Sequence, residues 1–133
     1  RKIGSEFGAT TGRPRRCGWI DLVALKYTCM INGVTKVIMT KADVLDSFSE
    51  LNVCTAYGID GKLSHQVPFG ISRVKIEPHY QPFKGWHCDT TQIKSAENVP
   101  NDMTTYIDFI NKYIGAPVKF VSNGPGREQI ISL

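Results

Sequence analysis

Residues 6–19 read EFGATTGRPRRCGW, and the course of the chain turns on how this stretch is read. It shows neither the two-residue nor the three-to-four-residue apolar period of a regular element, so it is predicted to be an extended loop feeding the first periodic segment. Gly12 opens backbone conformations closed to other residues and lets a ligand approach the main chain. Ala9 is small, and the hydroxyls of Thr10 and Thr11 are neutral donors beside that glycine. Pro14 stiffens the segment and favours extended geometry at Arg13. In an extended backbone Arg13 and Arg15 face one side and Arg16 the other. Two guanidinium forks on one side suit a carboxylate or a phosphate, which each fork grips bidentately. A helix expected to begin near Gly18 would add its positive end. The competing reading is a solvated basic loop; the neighbouring Thr-Thr-Gly and the one-sided arginines favour anion binding.

Charge is unevenly spread. The chain has 133 residues and a net charge of +4. Arg1, Lys2, Arg13, Arg15 and Arg16 fall in the opening stretch with Glu6 as its one acid, and the remainder is close to neutral. Such a cluster points to an anionic small ligand. Nucleic acid fits less well, because the patch is short and no aromatic platforms are interleaved with it. The length suits one domain, and 41% apolar with 21% charged residues is ordinary for a globular chain. No apolar run approaches the roughly 18 residues that cross a bilayer. The opening Arg-Lys-Ile-Gly carries neither an initiator Met nor a signal core, as expected of a chain entered part-way along. Cys17, Cys29, Cys54 and Cys88 form no C-x-x-C pair. Cys29 and Cys54 are expected to be buried thiols in a reduced, cytosolic protein.

Periodicity gives the elements. A helix is predicted over 18–32, with a stripe of Ile20, Val23, Tyr27, Met30 and Ile31 and a stop at Asn32-Gly33. Residues 34–40 (VTKVIMT) and 51–57 (LNVCTAY) read as strands, with a short helical turn over 44–48 between them. Asp60-Gly61 signals a hairpin into 62–67. A further short strand is expected at 74–76, then a loop rich in Pro and aromatics over 78–86. The second helix starts near Pro100, carries Met103, Tyr106, Ile107, Ile110, Tyr113 and Ile114, and ends at Gly115 and Pro117. A last strand over 118–121 opens into 122–127 (SNGPGR). The expected fold is α/β, helices packed on a small mixed sheet in one unit spanning 1–133.

Two further loops follow strands, where ligands sit in α/β sheets. In Lys41-Ala42-Asp43 the aspartate could accept from two adjacent N–H groups, as guanine presents, while the Lys41 stem lies along a purine face. From spacing alone, capping of the following turn is the favoured role for Asp43. In Ser122-Asn123-Gly124-Pro125-Gly126 the glycines free backbone N–H groups for an oxygen, although such sequences are commonly plain turns. His65, His79, His87 and Cys88 show no zinc spacing, and neither a G-x-S-x-G nor a G-x-x-x-x-G-K motif occurs.

Taken in order, these segments resemble the C-terminal region of adenylosuccinate synthetase. Residues 6–25 (EFGATTGRPRRCGWIDLVAL) are very close to that family's pattern, 40–46 (TKADVLD) and 121–129 (VSNGPGREQ) match two more segments, and 53–62 (VCTAYGIDGK) and 85–91 (GWHCDTT) fall where similar stretches are expected. The resemblance implies GTP-dependent ligation of L-aspartate to IMP. It makes Ala9, Thr10, Thr11, Gly12, Arg13, Pro14 and Arg15 the aspartate loop, with Arg13 also contacting IMP and Arg15 near the GTP phosphates. Lys41, Ala42 and Asp43 would recognise guanine, completed by Ser122, Asn123 and Gly124. It further implies magnesium held by ligands outside this chain, no catalytic or metal-binding residue within it, a cytoplasmic homodimer, and no activity for this portion alone. The reading from another class is a non-catalytic nucleotide- or RNA-binding module using the basic loop.

Overall fold

The ten residues Glu50–Ile59 (β3) form the strand around which the first sheet is built. In the computed structural model, which describes residues 2–133, β3 pairs in parallel with β1 (Ile20–Asp21) and antiparallel with β4 (Lys62–Ser64) and β5 (Glu77–Lys84). A second sheet joins β2 (Val37–Met39) in parallel to β6 (Val118–Ser122), which pairs antiparallel with β7 (Ile130–Ser132). The expected α/β character holds, with the strands divided between two sheets that each mix parallel and antiparallel pairs. Arg1, counted in the basic cluster, lies outside the described residues.

Two helices join these sheets. α2 (Asn101–Ile114) follows Pro100 and ends at Gly115, whose φ of 75° is the left-handed cap expected there. It buries Met103, Tyr106, Ile107, Ile110 and Ile114, the predicted stripe apart from the half-buried Tyr113. α1 (Leu22–Ile31) departs from expectation at both its start and its face. Asp21 is its N-cap, with a side-chain oxygen accepting from Ala24 N at 3.0 Å, so residues 18–21 stay outside the helix. The same carboxylate accepts from the Tyr57 hydroxyl, which fastens the helix start to β3. The buried residues are Leu22, Val23 and Cys29, while Tyr27, Met30 and Ile31 of the expected stripe are exposed. The helix is apolar on several sides, and only its docking on β3 and α2 selects the buried one.

Three more segments depart from the sequence reading. Residues 78–86 do not form a loop: most of them lie in β5, on the sheet edge, where Pro78 and Pro82 need no ladder hydrogen bond. The strand expected at 74–76 is absent, and β7 forms from residues to which the sequence reading assigned no element. The turn predicted over 44–48 lies earlier, as a 3-10 turn over Ala42–Leu45.

The main core collects Leu22 from α1, Leu51 and Val53 from β3, the α2 stripe, Val118 and Val121 from β6 and Ile131 from β7. Both sheets and both helices therefore share one apolar interior. A polar staple closes its edge. The Asp46 carboxylate accepts from Trp86 Nε1 at 2.7 Å, from Thr90 N at 2.8 Å and from the Thr90 hydroxyl. Gly85 is required beside it, because a Cβ there would stand 1.8 Å from the Phe48 carbonyl oxygen.

Thr90 and Trp86 are buried, so removing their shared acceptor strands three donors. Asp46→Ala is expected to destabilise the fold by about 3 kcal/mol, read as a lower urea midpoint at unchanged slope, with a red shift of the Trp86 emission.

Candidate functional site

The parallel pairing of β2 with β6 sets Met39 beside Val121. Two neighbouring parallel strands therefore end together, and the loops beginning at Thr40 and at Ser122 leave from the same end of the sheet. That is the end at which α/β sheets bind ligands. The structure thus brings together Lys41, Ala42 and Asp43 with Ser122, Asn123 and Gly124, segments far apart in sequence.

Lys41 adopts a left-handed backbone, φ 59° and ψ 39°, and starts the 3-10 turn over Ala42–Leu45. Few non-glycine residues take this conformation, and where they do it is commonly tied to a site. Ala42 is buried beneath the turn. Asp43 is half-buried, and no side-chain hydrogen bond caps this turn. The capping role favoured by spacing is not what the Asp43 carboxylate does here.

The companion loop is internally tied. Asn123 N donates to Gln129 O at 3.1 Å, and Gly126 N donates to Gln129 Oε1 at 2.8 Å. Ser122 Oγ donates to Gly124 O at 3.1 Å. The Asn123 side chain is fully buried, and its amide donates to the carbonyls of Thr90 and Ile93. Asn123 thus anchors the loop to the 90–93 turn, next to the Asp46 staple. Gly126 N–H, expected to be open to a ligand, is engaged by Gln129, a residue the sequence reading passed over.

The arginine-rich segment is folded back on itself rather than extended. Phe7 and Pro14 form an antiparallel bridge. Gly8 N donates to Arg13 O at 2.8 Å, Gly12 N to Gly8 O at 2.9 Å, and Arg15 N to Glu6 O at 3.0 Å. Gly12, with φ 64°, makes the tight reversal possible. Thr11 Oγ1 accepts from Arg13 N at 3.3 Å and fixes the turn from within. Ala9, Thr10, Thr11, Gly12, Arg13, Pro14, Arg15 and Arg16 are all exposed. Helix α1 begins beyond this segment and its N-terminus is capped by Asp21, so it adds no positive end to the arginines.

Glu6 joins this hairpin to the Lys41 loop. Its carboxylate accepts from Lys41 Nζ and, at 3.4 Å, from Arg15 Nη1. Lys41 Nζ also donates to Gly4 O at 2.7 Å. The two cations hold the Glu6 carboxyl below its ordinary range, Lys41 first. Sequence reading gave Glu6 no role, although it is the only acid among the basic residues that open the chain. Between the loops lies an open groove walled by Trp19, Ile20, Met39, Phe48 and Tyr80, with Glu6 and Lys41 at its polar end. Trp19 packs edge-on against Phe48, with ring centroids 5.3 Å apart.

Among the described residues no three His, Cys, Asp or Glu side chains converge. Burial, followed by the Asp46 and Asp89 charges, raises the Cys88 thiol above its usual range, which disfavours a thiolate. No described helix is long and apolar enough to cross a membrane.

With this geometry in place, the likeness to known proteins is specific. The family model for adenylosuccinate synthetase matches residues 1–131. The adenylosuccinate synthetase of Christiangramia forsetii is 50% identical over 131 residues, covering 98% of this chain and 31% of that protein. The one from Aquifex aeolicus is 45% identical over 134 residues, covering 100% and 31%. The solved structure of fully ligated adenylosuccinate synthetase from Plasmodium falciparum superposes with a TM-score of 0.93 at 34% identity, over 100% of this chain and 32% of that one. The chain thus spans about a third of the length of the relatives it matches. A match running through both sheets, both helices and all three loops places this chain in the adenylosuccinate synthetase family.

Proposed function

We propose that this chain is the C-terminal portion of a GTP-dependent ligase that joins L-aspartate to IMP, giving adenylosuccinate, GDP and phosphate. In that reaction the γ-phosphoryl group of GTP passes to the 6-oxygen of IMP, and the aspartate amine then displaces it as phosphate. The observation that carries the proposal is the shared exit of the Lys41–Asp43 and Ser122–Gly124 loops from adjacent parallel strands, with the arginine hairpin tied to the first of them through Glu6.

Each loop has a part. The hairpin from Ala9 through Arg15 (Thr10, Thr11, Gly12, Arg13 and Pro14 between them) holds the aspartate carboxylates with the forks of Arg13 and Arg15, whose exposed guanidinium groups keep free N–H donors. Arg13 also touches IMP, and Arg15 lies near the GTP phosphates. Asp43 accepts from the N1–H and exocyclic amine of guanine, which adenine lacks in that arrangement, and the Lys41 stem covers one face of the ring. Ala42, Ser122, Asn123 and Gly124 complete the pocket, Asn123 by anchoring the loop. Magnesium, the general base and the catalytic machinery belong to the rest of the enzyme, so this portion alone is inactive. The whole protein acts as a cytoplasmic homodimer.

Two variants of the full-length enzyme test the assignment. Asp43→Asn replaces one acceptor oxygen with an amide that opposes the guanine amine. It is expected to raise the KM for GTP by about 10- to 100-fold while the KM for IMP stays unchanged. An unaltered KM for GTP refutes the guanine assignment. Arg13→Lys exchanges a planar fork for a point charge and should raise the KM for aspartate by about tenfold. The RNA-binding reading predicts instead that the chain binds RNA with an affinity that falls steeply with salt and is indifferent to Asp43.

A further inference from the structure

Glu6 meets two loops with two different oxygens. Oε1 accepts from Lys41 Nζ, and Oε2 accepts from Arg15 Nη1 at 3.4 Å. Its backbone carbonyl accepts from Arg15 N at 3.0 Å, which fixes the carboxylate at the base of the arginine hairpin. Lys41 is held from a second side by Gly4 O at 2.7 Å. Contact with a single guanidinium nitrogen leaves the other donors of Arg15 for a ligand. With its ammonium pinned at Gly4 and Glu6, the Lys41 stem cannot sweep freely across the mouth of the turn that bears Asp43.

Stability does not explain this arrangement. The Lys41 and Arg15 side chains are 51% and 58% exposed, and exposed ion pairs contribute little to folding. What the carboxylate supplies is a shared support: the guanine loop and the aspartate loop are each oriented by one of its oxygens. We infer that Glu6 is a positioning residue that couples the nucleotide and amino-acid sites by holding Lys41 and Arg15 at once. This rests on the ligase reading above. Lys41 set for the nucleotide keeps Glu6 in place for Arg15, and Arg15 set for the dicarboxylate does the same in return, since coupling between sites is reciprocal.

The test is steady-state kinetics of the full-length enzyme with Glu6→Gln, an isosteric change that removes the charge and one acceptor. The KM for GTP and the KM for aspartate are expected to rise together, each by about fivefold or more, with kcat falling less than either rises. A variant that only loses folded protein would lower kcat and leave both KM values alone, and that result overturns the inference. Glu6→Asp, one methylene shorter, keeps the charge but cannot reach both cations, so it should restore one KM and not the other; should Glu6→Gln fail to fold, Glu6→Asp carries the test, and two unchanged KM values would overturn the inference there. In a Lys41→Met background, Glu6→Gln should add nothing to the KM for GTP while still raising that for aspartate. Independent effects on GTP in that background would also overturn it. Failure of the unsubstituted enzyme to form adenylosuccinate would refute the ligase reading instead, so the two failures are distinguishable.

Discussion

The parallel pairing of β2 with β6 is the constraint on which the site depends. A parallel pair cannot be closed by a hairpin, so the chain between the two strands must travel away and return. That excursion builds the β3–β5 sheet, the Asp46 staple and α2 before Val118 comes back beside Val37. Its return brings two loops from distant parts of the sequence to one sheet end. A shift by one residue would exchange the inward Val121 for the exposed Phe120 and turn the loop that follows. Burial of Val118, Val121 and Ile131 in the common core is what fixes the register.

The same core accounts for the reliability of loops that are themselves poorly buried. Polar side chains tie them down at their roots. Asp46 gathers Trp86 and Thr90, Asn123 donates to the carbonyls of Thr90 and Ile93, and Gln129 reaches both Gly126 and Thr91. These contacts form one connected set, from the end of the Lys41 turn through the 86–93 segment to the glycine loop. Buried donors and acceptors in such a set are costly to leave unpaired. The loops therefore hold their positions through hydrogen bonds at their bases while their tips stay exposed.

How much of this was legible in the sequence depends on the range of the interaction concerned. α2 could be read because its period, its starting Pro100 and its ending Gly115 are all local signals. The strand at 51–57 could be read from its β-branched and aromatic residues. β5 could not, because its two prolines look like loop residues unless the strand is known to lie on an edge. The start of α1 was misplaced because Asp21, the cap, sits inside an apolar run, and its buried side was misjudged because Tyr27, Met30 and Ile31 are as apolar as the residues that are buried. The arginine-rich segment and the Lys41–Asp43 segment were visible as motifs. Their adjacency was not, since it is a consequence of strand pairing across some eighty residues.

Glu6 shows the same limit from the other direction. A lone acid in a basic segment reads as partial neutralisation, and only the folded chain shows its partner, 35 residues away. Lys41 makes that contact from a left-handed backbone, between β2 and the buried Ala42. The ion pair is thus a result of the sheet and not a cause of it. Once formed, it links a loop whose position the core determines to a hairpin that is almost wholly exposed. The hairpin has no buried side chain to orient it among residues 9–16, so its orientation relative to the Lys41–Asp43 loop is drawn from Glu6 and its own turn hydrogen bonds. An arrangement built this way has one firm wall and one borrowed one, and Glu6 is the residue that lends the support.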